Sequence, residues 1–85
     1  MMNEELTKTI VAWATQTASQ AVPLPSIAAR DFYLAERHRE LVAGAMAEGA
    51  TKHDAVMLAD ACVGAARRIL AELLAQRAGL PEGRA

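Results

Sequence analysis

This sequence has a single cysteine, almost no excess of one charge over the other and no long apolar run, and each of these absences excludes a class of protein. Cys62 is the only cysteine of the 85 residues, so no disulfide can form within the chain. The spacing of His38 and His53 to Cys62 does not fit a metal site, and neither a metal nor another cofactor is expected. No run reaches the roughly 18 apolar residues that a membrane span needs. Glu4 and Glu5 stand where a signal peptide carries positive charge, so we expect a soluble protein of a reducing compartment, the cytoplasm.

The charge is nearly balanced, and much of the apolar content is alanine. The net charge of −1 gives no electrostatic reason to expect binding to nucleic acid or to an anionic membrane. Hydrophobic residues make up 53% of the chain, but 20 of them are alanines, which leaves a modest core for one domain, 1–85, frayed at 1–2 and 80–85. Without a disulfide or a metal, oligomerisation is the remaining way to stabilise so small a domain. The alanine-rich, lysine-poor composition indicates a GC-rich bacterium or one of its mobile elements.

The positions of proline, glycine and capping residues predict an all-α fold. The three predicted helices span about residues 3–21, 26–48 and 51–78. Asn3 and Thr51 are expected N-caps, because their side chains can accept a hydrogen bond from a free backbone N–H of the first turn. Prolines in the segment 22–25 end the first helix, and this short apolar linker should pack on the body of the protein. Gly49 provides a tight reversal and Gly79 a stop, so the second and third helices should form an antiparallel hairpin.

Each predicted helix carries an apolar face. On the first helix it comprises Leu6, Ile10, Trp13, Ala14 and Thr17. On the second it comprises Leu34, His38, Leu41, Val42, Ala45 and Met46, continued backwards by Ile27, Asp31 and Ala35. On the third it comprises Val56, Ala59, Val63, Ala66, Leu70 and Leu73, at alternating spacings of three and four. Gly44 and Gly64 each cost about 1 kcal/mol relative to alanine within a helix, so we expect another helix to cross closely at both.

The C-terminal half of the third helix is expected to lack cover within the chain. At about 1.5 Å per residue this helix is roughly 40 Å long, and the first helix is no longer than about 30 Å. An uncovered stripe of leucines is an aggregation hazard, and a copy related by a twofold axis is the simplest way to bury it. We therefore expect a homodimer that completes the helical bundle. Its predicted interface comprises Val63, Ala66, Leu70, Leu73 and Leu74.

The chemically active side chains fit structural roles better than catalytic ones. His38 could act as a base or ligand with Asp31, but seven residues separate them by about 10 Å along a helix, too far for contact. We expect His38 to be hydrogen-bonded across a helix pair at the edge of the core. His53 and Asp54 lie where they would serve capping, and Cys62 has the setting of a small buried side chain. The sequence has neither a catalytic triad nor a glycine-rich phosphate loop, so no enzymatic activity and no catalytic residue is expected.

A helix-turn-helix DNA-binding regulator is the alternative. The residues that fit its usual pattern are Ala45, Gly49, Ala55 and Leu58, and Thr51, Lys52, His53 and Asp54 would open the recognition helix. Gly44 and Glu48 fall where the pattern has bulkier apolar residues. Asp54 and Asp60 would repel the phosphate backbone, the third helix is longer than a usual recognition helix, and there is no basic stripe.

The second helix carries two adjacent aromatic residues that point about 100° apart. Either Phe32 enters the core while Tyr33 lies at the rim, or the cluster forms a partner surface, since aromatic residues and arginine are enriched at interface hot spots. The predicted partner-binding residues are Arg30, Tyr33, Arg37 and Glu40.

The predicted function is binding to another protein, as an inhibitor, adaptor or regulator. The sequence resembles, in general character and without a shared motif, small phage-encoded or regulatory proteins that act by binding a host protein.

Overall fold

The computed structural model describes residues 4–79, and the regular structure of this part is entirely helical. The helices are α1 (Glu4–Ala21), α2 (Ile27–Ala47) and α3 (Lys52–Arg77). Every helix end lies within one residue of its predicted position, so the all-α class and the three helices are confirmed. None of these helices is long and apolar enough to cross a membrane. The predicted cap Asn3 and the predicted frayed ends, 1–2 and 80–85, lie outside the described residues.

Local capping explains where the helices begin and end. The side-chain oxygens of Ser26 and Thr51 each accept a hydrogen bond of 3.1 Å from the backbone N–H three residues later, which satisfies an otherwise free donor of α2 and of α3. Gly49 and Gly79 follow α2 and α3 with φ angles of 109° and 76°, in the left-handed region that favours glycine. The predicted N-cap at Thr51, the reversal at Gly49 and the stop at Gly79 are therefore confirmed.

The helices α2 and α3 pack side by side as an antiparallel hairpin. Two polar contacts connect them: Arg67 Nη1 forms an ion pair with Asp31 Oδ1 at 3.1 Å, and His38 Nε2 is hydrogen-bonded to Asp60 Oδ1 at 2.8 Å. The two pairs are separated by seven residues on each helix, and residue numbers rise on one helix as they fall on the other. This register is what two antiparallel helices in lateral contact produce.

The helix α1 runs parallel to α3 and covers its C-terminal half. Ile10 lies near Ala65 at one end of this contact, and Val22 lies near Leu73 at the other. Val63, Ala66 and Leu70 are buried in the same cluster as Ala14, Ala18 and Ala21, and Leu73 and Leu74 pack against it. The expectation that this half of α3 lacks cover within the chain is wrong, because the linker after α1 turns at the C-terminal end of α3.

The core of the protein is small and rich in alanine. Its buried apolar residues are Ile10, Ala14, Ala18, Ala21, Leu34, Ala55, Ala59, Cys62, Val63, Ala66 and Leu70. Leu34 is the largest side chain among those that are fully buried, and it is the only buried residue of α2. The inner stripe predicted for α2 is therefore wrong at Ile27, Asp31, Ala35 and Met46, which are exposed. The helices α1 and α2 contact each other far less than each contacts α3, so only a narrow line along α2 is covered.

The two glycines inside helices do not mark close helix crossings. A Cβ atom added at Gly44 or at Gly64 would have no neighbouring atom within 4 Å. The predicted close approach at both positions is therefore wrong. Each glycine faces open space, where alanine would fit without any rearrangement.

Candidate functional site

The predicted hydrogen bond of His38 across a helix pair is confirmed, and Asp60 is its partner. The side chains of His38 and Asp60 are 31% and 67% exposed, so the contact lies at the surface of the hairpin. Asp31 binds Arg67 instead of His38. One solvated ion pair and one solvated hydrogen bond join α2 to α3. The arrangement does not bring Asp31 and His38 together as a base and its orienting group.

Three of the four predicted partner-binding residues lie on the flank of α2 that faces α1 and the linker. Arg30 Nη2 donates a hydrogen bond of 3.1 Å to the carbonyl oxygen of Leu24. The Tyr33 hydroxyl donates to Gln20 Oε1, and the Arg37 guanidinium lies 5.8 Å from the centre of the Tyr33 ring. These three side chains are half-buried, whereas Glu40 is exposed and pairs with Arg37.

Of the two interpretations of the adjacent aromatic residues, the one with Phe32 in the core and Tyr33 at the rim is reversed in the structure. Phe32 is 66% exposed, whereas Tyr33 packs against the core cluster. The placement of Phe32 in the core is therefore wrong. Tyr33 lies on the side of α2 that faces α1. Phe32, about 100° away around the helix, therefore points out of the bundle.

The predicted dimer interface consists of residues that are covered within one chain. Val63, Ala66 and Leu70 are buried, and Leu73 and Leu74 are half-buried. Because these residues are covered within the chain, the argument that they need a second chain to bury them no longer holds. The homodimer itself stays a prediction.

An exposed, mostly apolar stripe on α2 is the surface that the sequence analysis missed. We call it the outer stripe, and its residues are Ala28, Phe32, Ala35, Arg39, Val42 and Met46. All are exposed except Val42, which is half-buried. The signal for it was present as alternating spacings of four and three, but the same helix offers a second apolar line through Leu34.

A shallow cavity lies between the beginning of α2 and the C-terminal half of α3. It measures about 160 Å³, and its apolar lining consists of Ile27, Leu70, Ala71 and Leu74. Arg30 and the ion pair between Asp31 and Arg67 complete the lining, so the cavity is partly charged. Ile27 is 75% exposed at its edge.

Cys62 occupies the buried setting that the sequence predicted. Burial raises the pKa of its thiol, since removal from water penalises the thiolate. A reactive cysteine needs the opposite, a lowered pKa and access to solvent. No group of three or more His, Cys, Asp or Glu residues in the described part of the chain is placed to hold a metal ion.

The geometry of α2 and α3 counts against the helix-turn-helix alternative. A DNA-reading helix pair crosses at a steep angle, whereas α2 and α3 lie side by side, and α3 has 26 residues. Thr51, Lys52, His53 and Asp54 are exposed at the N-terminal end of α3. DNA binding stays a prediction, and salt-sensitive binding of duplex DNA that is lost in Lys52→Ala would establish it.

The fold defines a small all-α protein of three helices. No protein-family model, no curated protein and no solved structure matches the chain.

Proposed function

We propose that the protein is a small non-enzymatic protein-binding module that acts as a homodimer. The observation that carries this proposal is the distribution of apolar side chains on α2, where Ile27, Phe32 and Met46 are exposed and only Leu34 is buried. Scattered apolar residues are normal on a protein surface, but an apolar surface that continues along one helix is typical of an interaction site.

The spacing of the outer stripe is compatible with pairing to a second copy. Its residues follow spacings of four, three, four, three and four, and this pattern is the same in either direction along the helix. An antiparallel α2 of a second chain would place Phe32 of one chain beside Val42 of the other. Arg39 would lie beside Ala35, whose small side chain leaves room for the apolar stem of the arginine. A surface that complements itself in this way fits a twofold dimer.

The composition of the core supports association. Six of the eleven buried apolar residues are alanines, so burial within one chain removes little side-chain area from water. Domains of this size need a further source of stability. Dimerisation through the outer stripe would supply it by burying Phe32 and Met46.

The other flank of α2 is the proposed surface for a different protein. The Arg37 guanidinium lies over the Tyr33 ring there, 5.8 Å from its centre, and Glu40 pairs with Arg37 at the exposed edge. Arginine and tyrosine are frequent hot-spot residues, and side chains already held by such contacts lose little freedom on binding. A dimer that presents two such surfaces would block, bridge or stabilise its partner without bond chemistry, as an inhibitor, adaptor or regulator does.

Sedimentation velocity at micromolar concentration tests the dimer. The informative variants are Phe32→Glu, on the outer stripe, and Met57→Glu, a matched change at a residue of α3 that is 58% exposed. We expect a dimer for the wild type and for Met57→Glu, and a folded monomer for Phe32→Glu. A monomeric wild type contradicts the dimer, and a dimeric Phe32→Glu contradicts the outer stripe as its interface.

Affinity capture from a host lysate, read by mass spectrometry, tests binding to a second protein. We expect the wild type and Arg68→Glu to capture the same protein and Arg37→Glu to lose it, with the dimer mass unchanged in all three. Equal capture by the three chains contradicts the surface around Arg37.

A further inference from the structure

A cavity between the proline linker and the two helix ends beside it contains two arginines. It measures about 380 Å³, and its lining includes Leu24, Arg30, Leu74 and Arg77. Arg30 belongs to the first turns of α2 and Arg77 is the last residue of α3. The cavity therefore brings together two cations that are far apart in the sequence.

Neither guanidinium is paired with a carboxylate of the described residues. Arg77 Nη1 donates to the carbonyl oxygen of Val22 at 2.7 Å, and Arg30 Nη2 donates to that of Leu24 at 3.1 Å. The Nε atom of Arg30 is buried and has no hydrogen-bond partner. The other arginines with a contact, Arg37, Arg39 and Arg67, each pair with an acidic side chain.

The first turn of α2 follows Pro25, which lines the cavity, and it contains no acidic residue that would oppose an anion there. Asp31, the residue after Arg30, carries a full negative charge, but it pairs with Arg67 at 3.1 Å. The linker carbonyl oxygens and the C-terminal carbonyl groups of α3 carry only partial charges. Among the described residues, no carboxylate therefore neutralises Arg30 or Arg77.

We infer that this linker cavity binds an oxyanion, a carboxylate or phosphate group on a small molecule. A guanidinium binds both groups through parallel charge-assisted hydrogen bonds, and two guanidiniums at one cavity can share one anion. The side chains of Leu24 and Leu74 would contact an apolar part of the same ligand. Because this site lies at the linker, it is independent of the outer stripe and of the proposed dimer.

NMR titration of the full chain at constant ionic strength tests the site. The probes are inorganic phosphate and, separately, benzoate, which carries a carboxylate on an apolar ring. We expect saturable shifts of the amide signals from Leu24 to Arg30 and at Arg77, in the millimolar range for the tighter probe. The probe that binds more tightly identifies the group that the cavity prefers.

Two variants and one control separate this site from general attraction to a basic surface. Arg77→Gln is expected to raise the Kd about tenfold or more, because it removes a charged hydrogen-bond donor. Arg30→Lys keeps the charge but loses the planar fork, so it should also weaken binding while it preserves the fold. Arg68→Gln, which removes a charge elsewhere on α3, should leave the Kd within about twofold, since exposed charges are screened by salt. No saturable shift with either probe, or equal weakening by Arg77→Gln and Arg68→Gln, overturns the inference.

Discussion

Leu34 is fully buried, whereas Phe32, two residues earlier on the same helix, is 66% exposed. The larger apolar side chain of the two thus faces away from the core. Contact with α3 along a narrow line, and not side-chain size, decides which residues of α2 are covered. The remaining apolar residues of this helix are available to another molecule.

Replacement of Leu34 by alanine is expected to lower the free energy of unfolding by about 2–5 kcal/mol, because the cavity left behind cannot close fully. Four of the six other buried residues in its core cluster are alanines, which have no side-chain length with which to fill the space. Phe32→Ala should cost less than about 1 kcal/mol at low protein concentration, since an exposed side chain contributes little to the folded monomer. Urea unfolding followed by circular dichroism measures both values, and equal losses would contradict the assigned core.

Alanine at Gly44 or at Gly64 is expected to raise the free energy of unfolding by about 0.5–1 kcal/mol, because alanine restricts the unfolded chain and favours the helix. The added Cβ meets no atom at either position. Gly49→Ala is the matched opposite, since its φ of 109° is strained for any residue with a side chain. Gly49→Ala should lower the free energy of unfolding by more than about 1 kcal/mol. Thermal and urea unfolding of the three variants measure whether each change raises or lowers the free energy of unfolding. Destabilisation by Gly44→Ala would reveal a close neighbour.

The helix boundaries could be predicted from the sequence because their causes are local. Thr51 caps α3 through a contact three residues away, and Gly49 and Gly79 reverse the chain through their own φ angles. The apolar line of α3 through Ala59 and Ala66 was also predictable, since helices pack against it on both flanks.

The orientation of α2 could not be predicted in the same way. It carries apolar residues on two sides, one through Leu34 and one through Phe32, and the sequence does not distinguish them. Which side of α2 is buried depends on the position of α1. The position of α1 depends in turn on how the linker turns at the end of α3. Because the position of α1 is not evident from the sequence, one interpretation placed Phe32 in the core, and the outer stripe was not recognised.

The contact between His38 and Asp60 is expected to contribute less than about 1 kcal/mol of coupling energy, because both side chains are solvated. A double-mutant cycle with His38→Ala and Asp60→Ala measures the coupling. The cycle with Asp31→Ala and Arg67→Ala is the matched comparison, since this pair joins the same helices seven residues away. The coupling of Asp31 with Arg67, two opposite charges, should decline as salt is added. A coupling of more than about 1 kcal/mol between His38 and Asp60 would mean that their contact is shielded from water.

The stability of the protein is expected to fall at alkaline pH because of Cys62. Burial raises the pKa of this thiol above its ordinary value, so the folded chain keeps the proton at a pH where the unfolded chain has begun to lose it. The contribution is fully present below the pKa of the unfolded thiol, about 8.5, and it is lost as the pH rises through the folded pKa.

Over that window the free energy of unfolding should decrease by up to about 1.4 kcal/mol per pH unit from this one group. Tyrosine and lysine titrate in the same range, so the measurement is the difference in slope between the wild type and Cys62→Ala. Urea unfolding between pH 8 and pH 10 should give a shallower slope for the variant, even though the variant is less stable at neutral pH. Equal slopes would mean that the thiol ionises as easily in the folded chain as in the unfolded one, and Cys62 would then be accessible to water.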